Sequence, residues 1–301
     1  MYEVISIGSS LVDIFIHSRS FSLRPASEGV LLCQRYGAKL EVDDFQVLTG
    51  GGGGNTAVGF ARQGFRTGVI TELGKDLFAQ VILDEFHREK VLTNLVIKEK
   101  KEQTGGSVIM VDDHGGRTVM VHRGAASMLD PQDIKEGPLG RAKWVHLSSI
   151  NGQLKTLEKI FKLRKEATNL SWNPGKKELE LLRQKKLDLS FWPVEVFLVN
   201  KEEWQSLAGV GKAILEKTPV VIITNGNSFG AVMTKQKSYN FKPPKVKSVD
   251  DTGAGDAFAV GFLSFYVKHK PLDLAIKYGV KNAQSVIQHF GAKKGLITNY
   301  F

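Results

Sequence analysis

The chain holds a single cysteine, Cys33, in 301 residues, so no intrachain disulfide can form and a reducing compartment fits. Within "VLLCQRYG" that cysteine reads as a buried strand position. No apolar run approaches the roughly 20 residues needed to span a bilayer, which argues against membrane insertion. The opening "MYEVISIGSSLVDIF" carries acids at Glu3 and Asp13 and shows neither a basic leader nor a small-residue cleavage site. It reads as a first strand, and a cytoplasmic location is expected. The seven histidines form no HExxH pair and no Cys/His cluster, so a dedicated zinc site is excluded. No internal repeat and no low-complexity linker interrupts the chain, and residues 1–301 read as one domain with ample length for a sizeable core. The net charge of +10 would suit nucleic acid, but the lysines are spread through amphipathic stretches such as "LKTLEKIFKLRKEA", the pattern of solvated helix faces. Neither a nucleic acid nor a membrane is expected as partner.

From residue 144 onward, short apolar runs alternate with helical patterns. "WVHLSS" precedes a helix from about Leu154, "NLSWN" a helix from Lys176, "EVFLVN" the stretch "KEEWQSLAG", and "PVVIITNG" follows. Near-continuous apolar strands separated by helices are what a parallel sheet covered on both faces requires. The fold class is therefore α/β, a three-layer sandwich with a mainly parallel central sheet. The early part adds the strand "YEVISIG", the helix "NTAVGFARQG", the strand "TGVITELG" and the helix "DLFAQVILDEFHREK". Two insertions, about residues 14–45 and 98–124, break this rhythm; the second contains a hairpin with Asp-Asp-His-Gly-Gly at its tip. Together they read as a small β-sheet lid over the strand ends.

Five glycines, Gly50 to Gly54, precede a helix that opens with Asn55 and Thr56. Glycine lets backbone amides approach a ligand and the Asn amide both donates and accepts, which suits a polyol; a flexible entry loop is the plainer alternative. The turn is neither a P-loop, lacking the Lys-Ser/Thr, nor a GxGxxG fingerprint. "GVGKA" at 209–213 is no P-loop either, because Ser206 stands where the first glycine belongs.

"VDDTGAGDAF", residues 249–258, says more. Gly253, Ala254 and Gly255 lead into an apolar helical run, so unpaired amides at a helix N-terminus can hold an anion. Asp256 at such a site is electrostatically awkward unless it takes a proton from an attacking hydroxyl. Against this stands a capping Asp with glycines that serve packing. Asn200 and Glu203 in "NKEE" could order water around a magnesium ion, or form a capping box. Thr224 and Gly226 end "PVVIITNG" where a hydroxyl and a close backbone can touch nucleotide phosphates, and Asp13 follows the first strand, placed either to accept from substrate hydroxyls or as an exposed turn carboxylate.

In this order the pieces resemble the ribokinase-like (PfkB) family of carbohydrate and nucleoside kinases, over essentially the whole length. The resemblance implies ATP and magnesium as cofactors and transfer of the γ-phosphoryl group to a hydroxymethyl of a sugar or nucleoside. It implies Asp256 as catalytic base, Gly253, Ala254 and Gly255 as anion hole, and Asp13, Gly51, Gly52 and Asn55 as substrate contacts. Asn200 and Glu203 match the NxxE motif that organises magnesium and phosphates, Thr224 and Gly226 the nucleotide turn, and Asn282 in "VKNAQSV" a residue near the adenine. Asp250 matches an Asp associated with a monovalent cation in some members, so potassium is implied weakly. The family's Asp-Thr before the GAGD core is Asp250-Asp251 here. Gly52 and, approximately, Ser149 stand where ribokinases carry Lys and Glu, which puts ribose in doubt and leaves room for a nucleoside or a hexose derivative. A catalytically silent sugar- or nucleotide-binding regulator of the same fold is the alternative. Exposed lid edges would suit a homodimer.

Overall fold

The computed structural model describes residues 1–27, 29–113, 116–164 and 169–299. Six strands lie parallel in the order Thr67–Ile70, Val4–Ile7, Trp144–Leu147, Leu170–Trp172, Val194–Asn200 and Val220–Thr224, and the antiparallel strands Gly230–Thr234 and Ser238–Phe241 extend that sheet. The inner strands are buried on both faces, which is why they are apolar without alternation. Their side chains divide between two cores. Ile5, Ile7, Val145 and Leu147 pack with Leu157 and Phe161 of the helix Leu154–Arg164 and with Leu179 and Leu182 of the helix Lys176–Arg183. Val4, Trp144, Val196 and Leu198 pack with Phe60 of the helix Gly52–Arg62, with Phe258 and Phe262 of the helix Ala254–Tyr266, and with Ile276 of the helix Leu272–Val286. Two apolar layers on one sheet make the expected sandwich. Each fully buried Leu, Ile or Phe among them contributes about 1.5–3 kcal/mol.

A separate four-stranded sheet has the order Arg117–His122, Gly106–Val111, Leu11–His17, Asp44–Gly50. Leu11–His17 runs parallel to Gly106–Val111 and antiparallel to Asp44–Gly50. The lid strands thus begin at Leu11 and reach Gly50, beyond the expected bounds of the first insertion, because only Gly8, Ser9 and Ser10 separate the sandwich strand Val4–Ile7 from the lid strand Leu11–His17. Within that insertion, Ser22–Ala26 and Gly29–Cys33 form their own two-stranded hairpin. Cys33 ends it half-buried, not buried as its neighbours suggest, since the hairpin has no layer packed over it. At the second insertion's tip, His114 and Gly115 lie outside the described residues, as does the expected continuation of the Leu154 helix over residues 165–167.

The arrangement brings the C-terminal ends of Val4–Ile7, Trp144–Leu147, Val194–Asn200 and Val220–Thr224 to one edge, beside the lid. In open α/β sheets that edge is where ligands bind.

Candidate active site

Gly253 caps the helix Ala254–Tyr266 in the left-handed region at φ 77°. A Cβ there would also lie 2.3 Å from the Cβ of Ala292, so only glycine fits. That cap turns the chain so that the helix begins with open amides. Among the described residues the amides of Gly253, Gly255 and Asp256 make no backbone hydrogen bond, whereas that of Ala254 donates to the Asp251 carbonyl at 3.3 Å. Gly253, Gly255 and Asp256 thus present open amides at this helix N-terminus, while the amide of Ala254, expected to help hold an anion, closes the turn. Positive N-terminal helix charge reinforces these amides.

Asp256 stands in that first turn, and its Oδ2 accepts from Asn55 Nδ2 at 2.8 Å. Burial pushes its carboxyl above the usual carboxylate range, opposed by the Asn55 bond and by the charge of Lys293. Asn55 itself is buried, and its Oδ1 has no partner among the described residues. The glycine turn lets the two meet. A Cβ on Gly52 would lie 2.8 Å from Ser148 Cβ and 3.4 Å from Asp256 Oδ1, so the absent side chain is the space beside the Asp256 carboxylate. Gly51 is the N-cap of the same helix.

Ser148, which follows the strand Trp144–Leu147, has a buried hydroxyl with no partner among the described residues. Ser149 instead donates to Glu178 at 2.9 Å. Glu178 is fully committed, accepting also from the amides of Ile150, Gly152 and Gly175. Ser148, not Ser149, thus faces the space beside Gly52; a shift of one residue along a strand end reverses the facing side, which spacing alone does not settle.

On the lid side, Asp13 is 8% exposed and accepts a hydrogen bond from Ser107 on the neighbouring strand. Burial raises its carboxyl as well, with Lys293 opposing and Asp250 reinforcing the shift. The exposed-turn reading of Asp13 fails because the residue lies within the lid strand Leu11–His17, paired on both sides. Lys293, unnoticed in the sequence, is buried and donates to Thr49 Oγ1 at 2.7 Å and to Glu85. Burial lowers its ammonium, and Glu85, Asp13 and Glu89 pull it back. One cation therefore sits behind both site carboxylates.

A cavity of about 220 Å³ lies beside these open amides, lined by Thr224, Gly226, Asp251, Gly255, Phe258 and Gln284, among others. Thr224 and Gly226 are where the strand end predicts them, and Asn200 is Thr224's register partner on the adjacent strand. Asn200 and Glu203 form the capping box: Asn200 Oδ1 accepts from the Glu203 amide at 2.9 Å and Glu203 Oε2 from the Asn200 amide at 2.7 Å. Burial raises the Glu203 carboxyl. Asn282 is a correction. It is fully buried, donating to the Ala257 carbonyl at 2.7 Å and accepting from the Ile297 amide at 3.0 Å, so it ties two helices and the C-terminal segment together and has no free edge for an adenine. Its neighbours Val280, Ala283 and Gln284 line the cavity instead.

Asp250 differs from its expected state as well. Its Oδ1 accepts from Arg117 Nη1 at 2.6 Å and from the Thr252 hydroxyl at 2.6 Å, and its Oδ2 from the Gly291 amide at 2.9 Å. Arg117 of the lid faces this carboxylate, which was expected to be associated with a monovalent cation. Among the described residues no group of three or more His, Cys, Asp or Glu could hold a metal, so a magnesium ion here would rest mainly on phosphate oxygens and water. A wider cavity, about 860 Å³, opens at the opposite edge of the sheet beside Trp144, Glu195, Val220 and Tyr266. It lies at the strands' N-terminal ends, and the Glu195 carboxylate in its lining accepts from the Tyr266 hydroxyl at 2.9 Å.

Comparison with known proteins agrees with this geometry. Residues 3–299 match the pfkB family carbohydrate kinases. The chain is 27% identical over 317 residues to a ribokinase of Staphylococcus aureus, covering 98% of this chain and 96% of the relative. It is similar in fold to the nucleoside kinase of Methanocaldococcus jannaschii (TM-score 0.81, 21% identity, 99% of this chain and 95% of that one) and to an Escherichia coli chain solved with ATP and Mg2+ (TM-score 0.80, 18% identity, 98% and 96%). No helix among the described residues is long and apolar enough to cross a membrane. With the Asp256 carboxylate, open amides and a strand-end cavity all on one sheet edge, and the match running nearly end to end, the chain belongs to the pfkB family of carbohydrate kinases, phosphotransferases with an alcohol group as acceptor.

Proposed function

We propose that this chain, as one kinase domain with a β-sheet lid, transfers the γ-phosphoryl group of ATP to a hydroxymethyl group of an uncharged sugar or nucleoside, with Asp256 as general base. The observation that carries this is the Asp256 carboxylate, raised by burial, standing at the same helix N-terminus as the open amides of Gly253 and Gly255. A carboxylate at an anion site has a reason to be there when it removes a proton as negative charge arrives. The acceptor hydroxyl gives its proton to Asp256, its oxygen bonds to the γ-phosphorus, and the bond from that phosphorus to the bridging oxygen breaks to leave ADP. Asn55 holds Asp256 in place, and the Gly253, Gly255 and Asp256 amides receive the equatorial charge. Glu203 and Asn200, near the nucleotide turn, would order water around a magnesium ion, which would supply charge neutralisation for the transferring phosphoryl group.

Asp13, with the Asn55 Oδ1 and Ser148 hydroxyl that have no partner among the described residues, supplies hydrogen bonds for acceptor hydroxyls. Small side chains at Gly52 and Ser148 favour a bulkier acceptor than ribose, such as a nucleoside. The outer lid residues Phe45, Val47 and Met120 are exposed, which suits pairing with a second copy. ADP release with MgATP across ribose, fructose derivatives, ketodeoxygluconate, adenosine, cytidine and inosine tests the reading. Turnover with one of them is expected; a melting-temperature shift by a panel member with no ADP from any would mean a silent binding protein.

A further inference from the structure

Asp250 immediately precedes the turn that forms the anion hole, and its side chain is 4% exposed. Its bonds to the Thr252 amide (3.0 Å) and hydroxyl and to the Gly291 amide join two separate segments. The first ends in the left-handed Gly253; the second continues into Ala292, against which Gly253 is packed. The position of the open amides therefore depends on this carboxylate. A buried carboxylate is costly without a counter-charge. The cation in contact with it is Arg117, whose Nη1 also lies 3.3 Å from Thr252 Oγ1. Arg117 comes from the lid, as the first residue of its edge strand, 133 positions away in the chain.

We propose that Arg117 is a positioning residue through which the lid sets the anion hole: its guanidinium completes Asp250, and Asp250 in turn orders Thr252 and Gly253. The same guanidinium takes the place a potassium ion would fill, so turnover needs no monovalent cation. The proposal rests on the kinase reading above. When the lid is in contact, a charge-assisted bond locks the turn; when it lifts, the carboxylate loses its partner and the amides lose their register.

The test uses the full chain with R117A, R117K and R117Q. Calorimetric titration with MgAMP-PNP and with MgADP reads the nucleotide site without needing the acceptor, and turnover is followed with whichever panel acceptor is active. R117A should bind MgADP as the unmodified chain does but MgAMP-PNP more weakly, with kcat reduced about 100-fold as expected when reacting groups are misplaced by about 1 Å. R117K, or potassium or sub-denaturing guanidinium added to R117A, should restore part of kcat, and the unmodified chain should not respond to potassium. Unchanged kcat in R117A, or a loss that neither R117K nor added cation relieves, would overturn the proposal, as would equal weakening of both nucleotides. R117Q keeps a hydrogen-bond donor without the charge; if R117A melts before assay, full kcat in R117Q overturns the proposal in its stead. Failure of the unmodified chain to bind MgAMP-PNP would overturn the nucleotide reading first and this proposal with it, so the two failures are told apart.

Discussion

Asp256 is where the chemistry is most exposed to test. Its carboxyl is raised because burial penalises the charged form, while Asn55 and Lys293 favour that form. Only the ionised carboxylate can accept a proton, so the acid limb of kcat/KM should fall off above the range of an ordinary aspartate, about 3.9. Removing the Asn55 amide takes away a bond to the charged form, and N55A should move that limb to still higher pH. D256N cannot accept the proton and should reduce kcat about 10²- to 10⁴-fold while nucleotide binding persists. A pH–rate profile and nucleotide titration on the three chains check this, and full turnover by D256N would remove the base assignment. At this scale the sequence was legible only in part. Asp256 and Asn55 stood out because a carboxylate or an amide beside glycines at a helix mouth has few structural uses, and Asp13 because it follows the first strand. Asn282 misled, since a buried amide that ties helices together carries the same letter as one that reads a nucleobase. Ser148, Lys293 and Arg117 carried no local signal; each acquires its meaning from partners in distant segments.

At the scale of elements, the helix Ala254–Tyr266 and its cap decide where negative charge can be held. Gly253 and Gly255 look alike in the sequence but differ in what a side chain would meet. At Gly253 a Cβ would collide with Ala292 in a left-handed backbone, whereas at Gly255 it would find open space at the cavity wall. G253A should therefore destabilise the fold by about 2 kcal/mol or more, from the left-handed penalty and overpacking together. G255A should fold with near-normal stability yet weaken MgATP binding, because its methyl enters the space beside the open amides. Denaturant unfolding paired with nucleotide titration separates the two effects; equal loss of stability in both would contradict the packing account. The strands and most helices were legible because burial on both faces demands unbroken apolar runs and the intervening helices keep their 3.6-residue period. The lid strand Leu11–His17 was placed late because only the short link Gly8-Ser9-Ser10 separates it from the sandwich strand Val4–Ile7. The hairpin at Cys33 was misjudged on burial because an apolar run shows a strand without showing whether anything covers it.

For the molecule as a whole, the junction of the parallel pair Glu72–Leu73 and Ile97–Lys98 links folding to pH. Glu72 is 3% exposed and its Oε2 has no partner among the described residues. Burial first, then its hydrogen bond with Glu99 and the nearby Asp133, push its carboxyl up from 4.5 to about 8. The unfolded chain releases this proton near the ordinary value, and the folded chain keeps it to about pH 8. Between those limits the folded state binds more protons, so stability falls as pH rises through the window. Between about pH 5 and pH 8 the loss through this one group is on the order of 2 kcal/mol. Glu72→Gln keeps an N–H donor toward Glu99 and has no proton to lose. Unfolding in urea at the two pH values should show the unmodified chain losing that increment and the E72Q chain losing much less, so that E72Q is the more stable of the two at pH 8. The same dependence on pH in both chains would mean that the carboxyl ionises in the folded state without cost, and that the junction is open to water.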